Sequence, residues 1–432
     1  MVSNSVSEIN PKNNAIIYLI SNISVALVPF LLMPILTRQL GPEGYGTVAM
    51  FLVLINLIGA FVGLSVHGAI TSMWFNNEGI DKSIYISSCV LITLFTTVIV
   101  LCVVFLFSRE LSRIIGISIF WMYFSVIVCM CNTFILIRLA IWQVQKKAIY
   151  YGSLQVLIAI FSGIGSYFLV VAFLLDFEGR LWAHVLAYSF FAFISFISLI
   201  HSGFLKLSFK MYYIRDALKF GLPLIPHVLG GFLLITAERI ILNDLIGLKE
   251  LGVYMVAVQI ALVMYILADS FNKAFIPWLF EKLKTGSYLE KLNVVRISYC
   301  FSIFLVFCVV LSIFLSSWVV ELIAGSEYEE ASKVLPLLVL AQAFHGMYLL
   351  VTNYIFYERK TYYTGAITIF CGTFSVIISY FLINSNGMLG AALAQVLGMF
   401  LFWVLTWIIA NKIHPMPWFS KEIFLVTVHK LK

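Results

Sequence analysis

Twelve apolar stretches of near membrane-spanning length, separated only by short polar joints, fill this chain. They fall at roughly 15–36, 45–66, 84–107, 115–137, 151–175, 181–201, 217–241, 251–272, 297–320, 334–357, 363–383 and 388–410. About 20 apolar residues cross a hydrocarbon core, and a chain that crosses in series does so with helices that satisfy their own backbone. With 62% hydrophobic residues and a mean hydropathy of +1.03, a water-soluble alternative is excluded. The expected fold class is an all-α integral membrane protein of about 12 transmembrane helices. The first stretch is not expected to be a cleavable signal, being too long and lacking a small-x-small exit site.

Charge sets the orientation. With the N-terminus in the cytoplasm, twenty of the 27 Lys and Arg residues fall inside, Lys12, Lys146, Lys147 and Lys282 among them. Only Arg38, Arg109, Arg113, Arg180, Arg239, Lys249 and Lys333 fall outside. That is a strong positive-inside bias, and it accounts for the net charge of +7 without nucleic acid as a partner. An even helix count returns both termini to the cytoplasm. The joint near 273–296 is expected to be an amphipathic cytoplasmic helix at anionic headgroups. The seven cysteines lie inside spans with no CxxC pair, so neither metal nor disulfide is expected.

The chain reads as built twice. Leu40-Gly41-Pro42-Glu43-Gly44-Tyr45-Gly46 matches Ile246-Gly247-Leu248-Lys249-Glu250-Leu251-Gly252 at an offset of 206. Ser166-Tyr167-Phe168-Leu169 matches Ser379-Tyr380-Phe381-Leu382 at 213, and Gly179-x-Leu181-x-Ala183 echoes Gly387-x-Leu389-x-Ala391. Six helices per half keep both halves in the same orientation, a parallel internal repeat. The expected organisation is two six-helix bundles, 1–205 and 206–410, and a cytoplasmic tail, 411–432. Such an architecture suits alternating access.

Polar side chains are costly in lipid, so their positions inform. Residues eleven apart share a helical face, because three turns take about 10.8 residues. That spacing relates Asn56 to His67, Asn132 to Gln143, Gln155 to Ser166, His184 to Ser195, His227 to Glu238 and Gln342 to Asn353. Gln342 also shares a face with His345, and the eighth span adds Gln259, Asp269 and Lys273. Singly these read as ordinary interhelical hydrogen bonds. Together they read as a hydrated cavity lined by Asn56, His67, Gln259, Gln342, His345 and Asn353.

The charged set is sharper. Glu238 and Arg239 are consecutive near the outer end of the seventh span, and Asp269 precedes Lys273 by four residues in the eighth. The latter pair is equally a mutual neutraliser, and Arg138 equally a side chain snorkelling into headgroups. His227 follows Pro226, in a span that Pro223 and Pro226 interrupt as Pro29 and Pro34 interrupt the first. No GxxxxGK[ST], HExxH or GxSxG motif occurs, and no joint is long enough for a catalytic domain. Neither an enzyme nor a cofactor is expected.

Pro34-Ile35-Leu36-Thr37-Arg38-Gln39-Leu40-Gly41-Pro42-Glu43-Gly44-Tyr45-Gly46 closely resembles the first-loop signature of the Wzx-type polysaccharide repeat-unit flippases. These belong to the multidrug/oligosaccharidyl-lipid/polysaccharide (MOP) exporter superfamily. Lys219 through His227, Glu238-Arg239 and Gly247 through Gln259 resemble that family's seventh and eighth helices. The resemblance implies transfer of undecaprenyl-pyrophosphate-linked oligosaccharide, O-antigen units above all, from the cytoplasmic to the outer leaflet. It implies a bacterial inner-membrane location, membrane lipids around the chain, and a polysaccharide polymerase and chain-length regulator as partners. It makes Arg239, His227, Arg38, Arg138 and Lys273 the head-group cations, since a diphosphate needs cations in a low-dielectric site. Glu238 and Asp269 would position them or couple ions. By topology Arg38 and Arg239 lie near the outer end and Arg138 and Lys273 near the inner end, so they are successive contacts along a path or interfacial anchors. An ion-coupled multidrug exporter of the same superfamily is the second reading, and a non-transporting scaffold of a polysaccharide assembly complex the third.

Overall fold

The computed structural model describes residues 11–76, 79–206 and 208–423. Its helices are α1 (Pro11–Gly59), α2 (Val66–Asn76), α3 (Lys82–Leu106), α4 (Ser108–Ile115), α5 (Ile119–Val144), α6 (Ala148–Tyr167) and α7 (Asp176–His201), then α8 (Met211–Gly221), α9 (Ile225–Ile235), α10 (Ala237–Leu245), α11 (Leu248–Thr285), α12 (Tyr288–Ala324), α13 (Ala331–Tyr357) and α14 (Tyr362–Ile413). Ten helical stretches among the described residues are long and apolar enough to cross a membrane. Two of them, in α1 and α14, are each two helices run together across one glycine outside the helical region, Gly41 and Gly387. Divided there, they give the twelve crossing segments read from the sequence. The chain is a multi-pass, all-helical membrane protein.

Three local expectations need correction. Pro29 and Pro34 do not interrupt the first span: α1 runs through both and breaks at Gly41. Pro223, by contrast, sits in a 3-10 turn, Leu222–Leu224, that separates α8 from α9. No separate surface helix forms over 273–296, because α11 and α12 extend toward each other and meet at left-handed Gly286. Lys282 Nζ closes that hairpin on Glu290 Oε1 at 3.0 Å. Finally, Glu238 and Arg239 are not the end of the seventh span. Thr236 leaves the helical region (φ −132°), and the pair opens the short helix α10.

The chain divides into two compact units, Met1–Val228 and Leu229–Lys432. In the first, α5 is the central helix, packed against α1, α2, α3, α6 and α7. One apolar core joins Ile70, Ile86, Cys89, Ile137, Ile141 and Tyr213; another joins Phe134, Leu154, Ile158 and Phe191. In the second, α13 is central among α11, α12 and α14, and Leu234, Ala341, Cys371 and Met399 form a core. Apolar side chains on the outside, such as Phe105, Ile303, Phe307 and Phe314, suit a lipid environment rather than marking a packing fault. Of the seven cysteines, Cys102 and Cys300 are exposed and Cys308 half-buried; the others are buried. Past α14 the chain turns back: Tyr299 donates to the Trp418 carbonyl at 2.7 Å and Arg296 Nε to that of Ile423 at 3.1 Å. The remainder of the expected tail, 424–432, lies outside the described residues.

The repeat has a backbone cause. Gly41 (φ 61°, ψ 177°) and Gly247 (φ 112°, ψ 172°) both occupy a region open essentially to glycine alone. Each starts a helix from a reversed backbone, so the glycine recurs at the offset of 206. The later match shifts, however. Gly179 packs on the Leu169 backbone and Gly390 on that of Leu382, so contact pairs Gly179 with Gly390 rather than with Gly387.

Candidate functional site

Within the first unit α1, α5, α6 and α7 line a half-open cavity of about 210 Å³. Spacing by four puts Arg180, His184 and Tyr188 on one face of α7, and Ser162 and Ser166 on one face of α6. Arg180 Nη1 donates to Ser162 Oγ at 3.0 Å and to Ser166 Oγ at 2.7 Å. Ser166 Oγ donates to the Ser162 carbonyl at 2.5 Å, whereas the Ser162 hydroxyl proton has no acceptor among the described residues. His184 stacks on Tyr188 with ring centroids 4.4 Å apart. Asn132 and Gln155 complete the polar lining, and Gln155 Oε1 is buried without a partner. Pro29 lines the cavity from α1 and leaves the Val25 carbonyl without its usual helical donor. Gly163 lets Val28 and Leu32 of α1 close the wall. No described carboxylate pairs with Arg180.

This site was only half legible. Gln155 and Ser166, read as one face, do meet there, as do Asn132 and His184. Charge sorting alone makes Arg180 an outer cation; its spacing by four with His184 and Tyr188 is the signal that points to the site. The cations expected in this unit lie elsewhere. Arg38, Asn56 and His227 are exposed, and His67 is half-buried. Arg138 does not snorkel: it is 5% exposed, stands 4.5 Å from the Trp142 ring centroid and donates from Nη2 to Ser202 Oγ at 2.9 Å. Its Nε and Nη1 are buried with no partner.

In the second unit Glu238 is 2% exposed. Its Oε1 stands 3.5 Å from Arg239 Nε, an ion pair without hydrogen-bond geometry. Tyr254, within electrostatic reach of Glu238, donates to Gln395 Oε1 at 3.3 Å. A second polar seam joins α11 to α13. Asn353 Nδ2 donates to Asn272 Oδ1 at 2.8 Å, both side chains buried. Asp269 and Lys273 close on each other at 2.6 Å, and His345 stacks on Tyr265. Gln342 is buried and Gln259 half-buried. Thus Asp269, His345 and Asn353 lie along the α11–α13 interface, Lys273 is exposed and held by Asp269 of its own helix, and Glu238 and Arg239 form a pair of their own. A cavity of about 360 Å³ in this unit is walled by Trp403, Trp407, Trp418 and Phe400, and holds none of the sequence-chosen residues.

The sequence pattern of the polysaccharide biosynthesis protein family matches residues 12–282. The chain belongs to that family. A membrane protein of Haemophilus influenzae is 28% identical over 84% of this chain and 87% of its own length. The capsular polysaccharide biosynthesis protein CapF of Staphylococcus aureus is 24% identical over 88% of this chain and 94% of its own. The probable low-salt glycan biosynthesis flippase Agl15 of Haloferax volcanii is 22% identical over 88% and 79%. Among solved structures, the lipid II flippase MurJ superposes with a TM-score of 0.77 at 14% identity, over 92% of this chain and 87% of that one. An inward-facing MATE multidrug transporter of the MOP superfamily gives 0.68 at 14%, over 92% and 94%. The resemblance read from residues 34–46 therefore holds at the level of family and fold.

Proposed function

We propose that this chain is a flippase that carries a lipid-linked oligosaccharide from the cytoplasmic to the outer leaflet of a bacterial plasma membrane. Its cargo would be an undecaprenyl-pyrophosphate-linked repeat unit such as that of an O-antigen, moved by alternating access of the halves 1–205 and 206–410 with both termini cytoplasmic. The observation that carries this reading is family membership in a chain with a transporter fold. The polar geometry supports it: a diphosphate head needs cations shielded from water, and Arg138, Arg180 and Arg239 all stand within helical bundles rather than in the joints. Arg38, His227 and Lys273, more exposed, suit early or late contacts along the path. Glu238 and Asp269 would hold Arg239 and Lys273 until the head-group arrives. A polysaccharide polymerase and a chain-length regulator would take the product onward. The MATE likeness keeps an ion-coupled drug exporter as the second reading, but at 14% identity it speaks for fold alone.

The test is the leaflet position of lipid-linked oligosaccharide in cells lacking this chain, read with the surface polysaccharide ladder. Cytoplasmic accumulation and loss of the ladder, both reversed by the intact gene, is the expected result. Normal sidedness in cells with no second flippase would refute the proposal and favour the exporter, which dye-efflux measurements would then show.

A further inference from the structure

We infer that the Arg180 cavity of the first unit is a binding site for a glycosyl phosphate group. This rests on the flippase reading for its biological source but not for its chemistry. A guanidinium with no described carboxylate partner, inside a membrane-spanning bundle, bears a charge the fold leaves uncompensated. Nη1 is committed to Ser162 and Ser166, while Nε and Nη2 donate to nothing described and are not sealed from water-sized molecules. The Ser162 and Tyr188 hydroxyls add uncommitted donors on the same lining. A planar fork of donors beside hydroxyls suits a phosphate oxygen face.

The same cavity also presents an acceptor, the Val25 carbonyl freed by Pro29. A bare halide leaves that acceptor unmet, whereas a sugar hydroxyl beside the phosphate satisfies it. Size gives a further limit. Pockets that enclose a whole drug-sized ligand run about 300–1,000 Å³, so 210 Å³ has room for the phosphate and the ring attached to it. Rings of His184 and Tyr188 supply a flat apolar wall for that sugar.

The experiment uses the purified full chain in nanodiscs, with glucose 1-phosphate, inorganic phosphate and chloride as probes in equilibrium binding. Glucose 1-phosphate should bind more tightly than phosphate, and chloride should not compete. Arg180→Gln should weaken glucose 1-phosphate by about ten- to a hundredfold, the factor set by one charge-assisted hydrogen bond. His184→Ala, which removes part of the ring wall, should narrow the preference for glucose 1-phosphate over phosphate, and Gly365→Ala, in the second unit and facing open space, should leave it unchanged. Should Arg180→Gln not insert, Arg180→Lys keeps the charge without the fork and should still lose about tenfold. Wild-type affinity in an inserted Arg180 variant, or equal affinity for the three probes, overturns the site. Competition by a short-chain polyprenyl diphosphate sugar identifies the source as the lipid head-group. Failure of that competitor with glucose 1-phosphate still bound assigns the site to a free sugar phosphate. The leaflet measurement stands apart from all these arms, so failure of the flippase reading is separately visible.

Discussion

Removing Arg239 alone is the obvious test of a head-group cation, and the structure shows why it would mislead. Glu238 is 2% exposed and its Oε1 lies 3.5 Å from Arg239 Nε. At that separation, with an effective dielectric of about 20, the attraction is on the order of 5 kcal/mol before desolvation is subtracted. Breaking such a buried pair from one side costs about 3–5 kcal/mol, because the surviving charge is stranded. Arg239→Ala should therefore destabilise the protein by that amount whether or not Arg239 touches cargo. The double variant Glu238→Gln/Arg239→Gln removes both charges and should recover most of the loss, so that against the single variants Glu238→Gln and Arg239→Gln the coupling in a double-mutant cycle is about 3 kcal/mol or more. Reversible unfolding of the purified protein in detergent reads the stability side, and the surface polysaccharide ladder reads transport. A stable double variant that still lacks the ladder makes Arg239 a cargo contact. A restored ladder makes the pair structural. Additive single-variant costs would refute the reasoning itself, since they would mean that the two charges do not sense each other.

The Asn272–Asn353 bond predicts a smaller cycle: Asn353→Leu should cost about 1–3 kcal/mol by leaving Asn272 unpaired, with a coupling of about 0.6–1.7 kcal/mol in the same unfolding assay. Asp81 caps α3 through the Ser83 and Ile84 amides and pairs with Lys206 at 2.8 Å. The Lys206 hydrogen bond, then the Ile84 amide, hold its carboxyl below the usual carboxylate range. A depressed folded-state value contributes stability above the unfolded value of about 3.9, lost as pH falls through the folded value. Lys206→Gln should move the acid limb of a melting-temperature profile upward, and an unchanged limb would show the pair to be idle. Gly390→Val drives a side chain into the Leu382 carbonyl and should cost about 1–3 kcal/mol or more; Gly365→Ala, facing open space, should be neutral or stabilising.

How much of this was legible follows from which forces write themselves into sequence. Membrane crossing does so directly, because hydropathy is local, and the twelve segments were found with two glycine breaks accounting for the merged pairs. Backbone necessity does so too, where Gly41 and Gly247 recur because no other residue sits easily at their angles. Charge is different, since its meaning depends on what faces it. Arg180 stands one residue before the span read as 181–201, so charge counting placed it at a surface, yet α7 starts at Asp176 and carries it into the bundle. Arg138 reads equally as a head-group cation and as a snorkelling anchor because it lies near a span end, but Trp142 one turn on and Ser202 from α7's C-terminal edge hold it inside. The extended α11–α12 hairpin misled in the opposite way: Lys282, Lys284 and Lys291 are polar enough to suggest a separate surface helix, while the helical hydrogen bonds simply continue past the apolar core on both sides of Gly286. A polar residue's neighbours come from other helices, and a single sequence does not list them. Uncompensated charge is thus the quantity to seek in the structure, and in the first unit it is concentrated on the Arg180 cavity and on Arg138, whose Nε and Nη1 have no partner. Arg180 lines a cavity with room for a counter-ion. That makes the binding measurement on its variants the more decisive, because a buried cation with space beside it and no paired carboxylate needs an anion from outside the chain.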